Sequence, residues 1–341
     1  MVELLADEPS FIPDVYFTGA YGRVDALDRG GDWATIATPS GSWQMPIVLT
    51  ELDDGLREAT SPYGYCGIHA AEGLTTAEAA DAWTSAAAIL QDLGVVSLFL
   101  RFHPADPRSV TQATGLDGLD VMRSGTTYMV RTDDTSDMWD RMEGRSRTAI
   151  RKARRYGLTG LVRPVAPEDV EPDSDFRRLY EATMQRVGAS ARYVFDDAYY
   201  LELANALGAG LQLAEVRQDT AVVASALVMR HGDRAHYHLS GSDLAASRNG
   251  ANAVLIWSML EWCAGSGVAT CHLGGGVTEG DGLAGFKRAF GGQEAAFFIG
   301  RAVINPDAYA RLTRARALQL ATTVDALQHA DYFPAFRASP G

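Results

Sequence analysis

Lysine is almost absent from this sequence. Of its 30 basic residues only Lys152 and Lys287 are lysines, and the rest are arginines. A composition that replaces lysine wherever any cation serves points to the two survivors as positions that need a compact ammonium, which a planar guanidinium does not imitate. Cysteine is nearly as scarce. Cys66, Cys263 and Cys271 form an odd, widely spaced trio, which argues against a disulfide framework and lacks the paired spacing of a zinc site. Long apolar runs are missing as well: no stretch approaches the roughly 20 residues that cross a bilayer. The opening MVELLADEPSF has no basic-then-apolar signal, so the expectation is a cytoplasmic protein without a membrane span. Gly274–Gly276 are not followed by Lys-Ser/Thr, and no Gly-x-Ser-x-Gly occurs. A nucleotide P-loop and a serine-hydrolase elbow are therefore disfavoured.

What is present suits one large or two medium domains. The 341 residues are 47% hydrophobic, enough for sizeable cores. The net charge of −13 argues against wholesale coating of nucleic acid, and no DNA partner is expected. Against that background Arg141–Arg163 gathers eight basic residues around one acid, Glu143. Cations at i, i+3 and i+4 repel one another unless anions arrive, so Arg147, Arg151, Lys152, Arg154 and Arg155 are candidate phosphate ligands. The competing reading is a solvated helix end with Ile150 and Ala153 turned to the core.

Periodicity predicts a mixed α/β chain. Residues 10–60 read as a helix followed by hairpin strands, and Ser61–Gly67 (SPYGYCG) as a loop. Thr75–Leu93 is an amphipathic helix capped by Thr75 or Thr76, and Val95–Phe102 a buried strand. Gly125–Val130 is a strand, Ser136–Met142 opens a helix, and Pro164–Asp175 looks like a linker. Phe176–Val187 and a segment from Asp196 are helical, and Leu211–Met229 holds a hairpin turning at Gln218-Asp219. Ala295–Val303 supplies a last strand and Asp307–Ala330 a last helix.

The densest pattern runs from Ala235 to Phe290. Ala235–Ser240 is a strand, Asn252–Ala264 a helix with Asn252 as its cap, Val268–Leu273 a second strand, and Gly282–Phe290 a short helix carrying Lys287. Strand, helix, strand implies two parallel strands. His236 and His238 share one face of the first strand and Tyr237 takes the other. With His272 they lack a carboxylate or cysteine to complete a zinc site, so no metal is expected.

YHLSGS, GANAVLIWSMLEW, HLGGG and FKRAF, in this order, resemble the second half of Fem-type (FemABX) aminoacyl transferases, relatives of the GNAT acyltransferases. R-x-x-I-R-K-A-x-x-x-G, from Arg147 to Gly157, resembles that family's junction between subdomains, and a weaker likeness covers most of the chain. The resemblance implies an α/β fold of two tandem GNAT-like subdomains, each a mixed twisted sheet flanked by helices. Their expected bounds are 1–160 and 161–305, with 306–341 returning to the first. It implies amide formation, an aminoacyl group moving from aminoacyl-tRNA to the amine of a small or peptidyl acceptor, by a monomer without a cofactor.

Carried over position by position, Lys287 matches the family's lysine and is the expected oxyanion stabiliser, with Tyr237 orienting the acceptor or relaying its proton. The tyrosine–glycine loop with Tyr63 and Tyr65, and the pair Arg192-Tyr193, correspond to acceptor-holding elements. Gly250, Asn252 and Gly275 are expected to touch substrate. The GNAT pyrophosphate loop, [Q/R]-x-x-G-x-[G/A], falls on Ser247–Asn252, where Ser247 and Asn252 both depart from it. That degraded pattern favours the Fem-type branch over the alternative, an acyl-CoA N-acyltransferase. A third reading is a non-catalytic tRNA- or nucleotide-sugar-binding module. His103-Pro104 stands where many cell-wall members carry Asp-Pro, which weakens the case for a base there. The long heptad arm of some members is also missing, which implies a smaller RNA footprint or a different donor.

Overall fold

The computed structural model describes residues 1–190, 193–276, 278 and 280–339. They form two compact units: residues 1–124 together with the chain from 297 onward, and residues 125–296.

The first unit begins with β1 (Glu3–Leu5), α1 (Gly19–Asp28), β2 (Asp32–Ala37), β3 (Trp43–Glu51), β4 (Arg57–Thr60) and β5 (His69–Ala70). Then come α2 (Thr76–Asp92), β6 (Val95–Arg101) and α3 (Pro107–Ala113). Its strands lie in the order β1-β2-β3-β4-β6, with β5 on β3. Neighbours are antiparallel except β4 and β6, which run parallel. A parallel pair needs a long crossover, and α2 supplies it. Thr75 and Glu78 close a capping box at its start, and Ala79, Ala82, Trp83, Ala86 and Leu90 form its buried stripe.

The second unit takes up β7 (Leu119–Arg131) from Gly125, then α4 (Thr135–Arg141), α5 (Gly144–Arg155), β8 (Leu158–Pro164), α6 (Asp175–Arg186) and α7 (Asp197–Leu207). It continues with β9 (Leu211–Gln218), β10 (Ala221–His231), β11 (Arg234–Ser242), α8 (Leu244–Arg248), α9 (Ala251–Gly265), β12 (Thr270–Gly275) and α10 (Gly282–Arg288). The order is β7-β12-β11-β10-β9-β8, with β11 and β12 parallel. Helix α9 is apolar nearly all round and is the core of this unit, packing on β8, β9, β10 and α5.

The unit boundary lies at Ser124/Gly125 rather than near residue 160, because Leu158–Pro164 pairs along its length with β9. The stretch that reads as a linker stays inside the second unit. Arg163 forks onto Asp169 at 2.5 and 2.6 Å and reaches Glu215 at 3.3 Å.

The chain returns through β13 (Gln293–Val303), whose residues 299–303 pair antiparallel with β6. β6 is thus followed in sequence by β7 but flanked by β13, while β12 is flanked by β7. The expected single C-terminal helix is broken into α11 (Pro306–Gln319) and α12 (Val324–Gln328), with Ala321 between them at φ +50°. Both belong with the first unit. Among the described residues no helix is long and apolar enough to cross a membrane.

Candidate active site

In the second unit β11 and β12 pair only over Arg234–His236 and Thr270–His272. Beyond that both strands continue apart, β12 keeping its antiparallel bonds to β7 through Gly274 and Gly275. A bulge on β11 accompanies the parting: Ser240 faces Ala226 and Tyr237 faces Val228, so β11 carries one residue more than β10 in between. Such a bulge sharpens the local twist and re-aims side chains, and simple alternation does not foresee it. Near the end of the strand, α6 crosses so closely that a Cβ at Gly241 would lie 2.2 Å from the Leu179 backbone. Glycine is required there.

Lys287 stands at this opening. Asp281 caps α10 through Ala284 N (2.7 Å) and accepts Thr278 N (3.0 Å), which fixes the helix that carries the lysine. The Lys287 side chain is buried, its Nζ donating to Gly275 O at 2.7 Å and lying 5.9 Å from the centre of the Tyr237 ring. Burial pushes its pKa down from the ordinary lysine value to about 8, with the Asp281 carboxylate resisting the drop. The group is mostly ammonium at neutral pH yet can lose its proton just above. Asp281 has no place in the sequence-based assignment; the Asp-Gly step ahead of F-K-R-A-F is the cap signal that reveals it.

Tyr237 is half-buried and packs with the α9 core. Burial raises its phenol pKa, and a hydrogen bond with Ser240 partly offsets this. His238, next along the bulge, bonds the Tyr199 hydroxyl at 3.2 Å. Burial and the neighbouring His236 hold its imidazole neutral, with a pKa of about 3. His236 is buried against His272, Nδ1 to Nδ1 at 3.4 Å.

The start of α9 differs from the expected cap. Gly250, not Asn252, is the N-cap, at φ +96°. A Cβ there would lie 3.0 Å from Ala149 O and 3.1 Å from Ala153 Cβ of α5, so glycine lets the two helices meet. Asn252 Nδ2 bonds Ser247 Oγ across the loop at 3.1 Å. Among the described residues no side chain caps the first amides of α9; Gly250 is the point at which α5 comes close.

The basic helix divides into engaged and unengaged cations. Arg147 Nη1 donates to Trp139 O, Asp140 O and Met142 O at 2.9–3.1 Å, closing the end of α4. Arg151 lies over the Trp139 ring at 5.2 Å, and Arg154 sits 3.5 Å from Glu261. Lys152 and Arg155 are exposed.

Tyr63 and Tyr65 are in the first unit, where the loop is tied down. Tyr63 N donates to Asp25 Oδ2 (3.0 Å), Tyr63 O accepts the Tyr21 hydroxyl (2.9 Å), and Tyr65 meets Tyr16 and Phe297 edge-on. Tyr193 O accepts the Tyr180 hydroxyl at 2.8 Å, and Arg192 lies outside the described residues. His103 is buried: its Nδ1 accepts Ala105 N, and its Nε2 lies 3.2 Å from the Asp14 carboxylate.

Residues 144–288 match the family described as "Acetyltransferase (GNAT) domain". Comparison with the curated proteins gives no match. Among solved structures the chain is similar to FemX, with a TM-score of 0.70 at 13% identity over 88% of this chain and 95% of that one. It is similar to the C-terminal domain of a putative lysylphosphatidylglycerol synthetase from Agrobacterium fabrum, with a TM-score of 0.55 at 16% identity over 88% and 96%. A tandem GNAT protein from the clavulanic acid biosynthesis pathway, solved without AcCoA, gives 0.50 at 12% identity over 90% and 99%. The likeness is one of fold: a tandem GNAT-like α/β architecture of the Fem type.

Proposed function

From a chain with the Fem-like GNAT fold, we infer that its reaction is transfer of an aminoacyl group from aminoacyl-tRNA to the amine of a small or peptidyl acceptor. The observation that carries this reading is the buried ammonium of Lys287, held by a backbone carbonyl at the parting of β11 and β12. When an amine attacks the donor ester, the carbonyl oxygen takes up negative charge. A fixed ammonium beside it favours that transition state over the ground state. The amide bond forms, the ester bond breaks, and the proton lost by the amine ends on the departing ribose oxygen. The ester is already activated, so holding the reactants together supplies roughly 7–11 kcal/mol without a covalent intermediate. Tyr237 faces the ammonium and orients the amine or relays its proton. Gly275 lends its carbonyl, and Arg192 and Tyr193, with Tyr63 and Tyr65 of the first unit, are assigned to the acceptor by the family resemblance.

The start of α9 supports a nucleic-acid-borne donor over acyl-CoA. Where a pyrophosphate would need close approach, Gly250 is packed against α5 and bulky Asn252 stands in place of the pattern's small last residue. The name of one structural neighbour, lysylphosphatidylglycerol synthetase, points to an aminoacylated product in a relative of this fold. The match of residues 144–288 to the acetyltransferase family favours the second reading, an acyl-CoA-dependent N-acyltransferase. On the preferred reading the protein acts as a monomer in the cytoplasm, where charged tRNA is made.

The test is to offer radiolabelled aminoacyl-tRNA and radiolabelled acetyl-CoA separately with a panel of amines. Label passing from tRNA to an amine is the expected result. Label passing only from acetyl-CoA would establish the second reading. RNA binding with no transfer from either donor would leave a non-catalytic binding module.

A further inference from the structure

Five cations of α5 were candidates for phosphate, and three of them are spoken for by α4, Trp139 and Glu261. Lys152 and Arg155 face no carboxylate among the described residues; Arg155 Nε makes only a 3.4 Å contact to Arg151 O. With Tyr156, the residue that ends the helix, they line an open hollow of about 270 Å³. The Tyr156 ring is 53% exposed and Lys152 Nζ lies 5.6 Å from its centre. Tyr156 was not among the residues expected to bind.

We propose that this hollow seats one unstacked nucleotide of a single-stranded RNA end, with the base on the Tyr156 ring and the flanking phosphates on Lys152 and Arg155. The proposal rests on the RNA-borne donor inferred above. An exposed aromatic ring, one face of it beneath the Lys152 ammonium, beside two cations that face no carboxylate among the described residues is a combination that binds single strands, by stacking one base and neutralising its backbone. The hollow is open and lined by Lys152, Arg155 and Tyr156, which offers contacts to one nucleotide rather than to a duplex. A helix C-terminus carries about half a negative charge, but Lys152, Arg154 and Arg155 all lie in this last turn and leave it positive. The net charge of −13 opposes broad contact with any polyanion, so a local cluster of cations such as this turn is where one would bind. A bilayer would present a flat anionic surface, whereas an exposed aromatic ring beside two cations offers a base a face to stack on.

The test uses the full chain and a short labelled single-stranded RNA, with anisotropy measured across a salt series. Lys152→Gln and Arg155→Gln are each expected to reduce the salt slope by about 0.7. Tyr156→Ala is expected to weaken binding roughly 5- to 100-fold at an unchanged slope, while Tyr156→Phe keeps affinity. All three positions are exposed, so folding is not at stake. The proposal falls if the wild-type chain ignores the RNA or if Tyr156→Ala binds it normally. It also falls if the same three side chains govern binding to phosphatidylglycerol vesicles but not to RNA. If Tyr156→Ala binds normally while Lys287→Met loses turnover, the hollow fails alone. If Lys287→Met turns over normally while Tyr156→Ala loses RNA, the hollow stands and the role of Lys287 fails.

Discussion

In the first unit β4 and β6 run side by side as far as Thr60 and Phe99, and the chain then fills its own gap. Ser61 N bonds Phe99 O, Ser61 Oγ accepts Arg101 N, and Cys66 bridges to Phe102. In the second unit β11 and β12 share a register of only three residues each, and the Gly275 carbonyl past that point is bonded by a lysine ammonium. Both units place a helix between parallel strands, yet they treat the end of the pair in opposite ways. Backbone groups tied to neighbouring backbone and a serine hydroxyl have nothing left to offer a ligand. A carbonyl held by one side chain leaves that side chain able to turn to a substrate oxygen. On the proposed reading, connectivity does not decide which unit does chemistry; what closes the opening does.

The sharpest way to break the comparison is Lys287→Met. It is expected to lower turnover by two orders of magnitude or more while leaving a folded protein. Lys287→Arg should not restore it, since the guanidinium fork cannot occupy the same point. Near-normal turnover by the methionine variant would make the two openings equivalent after all.

A smaller effect appears on raising the pH. Between about 8 and the ordinary lysine value the unfolded chain keeps a proton that the native Lys287 has released. Stability therefore rises with pH through this window, by up to ~3 kcal/mol relative to Lys287→Met. Turnover that needs the ammonium should fall over its lower part. Opposite trends in denaturation and in rate are expected with an acceptor amine already unprotonated below pH 8; with that acceptor, turnover that climbs above pH 8 would mean that Lys287 acts as a base. The smallest effect belongs to the closed opening: Ser61→Ala removes one buried hydrogen bond and should cost about 1 kcal/mol in urea unfolding. Its effect on turnover should be less than twofold, and a large loss of rate would show that the filled gap matters to the reaction.

Much of the second unit was legible in the sequence because its signals are local. The apolar period of residues 252–264 and the glycine-bounded strands around it lie within two residues of α9, β11 and β12. Thr75 with Glu78 marks the start of α2 by a capping box that needs no tertiary information. Elsewhere the deciding partners are distant in sequence. Asn252 is an ordinary cap residue, but α5 pressing on Gly250 moved the helix start back. Arg147 reads as one more free cation until the carbonyls at the end of α4 are found beneath it. The Pro- and acid-rich stretch after Pro164 has a linker's composition, yet Arg163 on Asp169, Val165 N on Leu211 O and the buried Val170 keep it in the unit. The bulge in β11 leaves no mark in a run of alternating residues.

The exchange of flanking strands has a consequence for synthesis. β6 pairs with β4 early but finds its second neighbour only when β13 has left the ribosome, since Arg101 pairs with Ile299. At about 5–20 residues per second the wait is roughly 10–40 s. During that time the nascent first unit carries an unpaired edge of VVSLFLR, a row of open amides and carbonyls flanked by apolar side chains. The second unit, whose β7 is already made, can complete its sheet first. The later-encoded half is thus the one able to fold before its elder, and the earlier half depends on whatever shields a bare strand until the last one arrives.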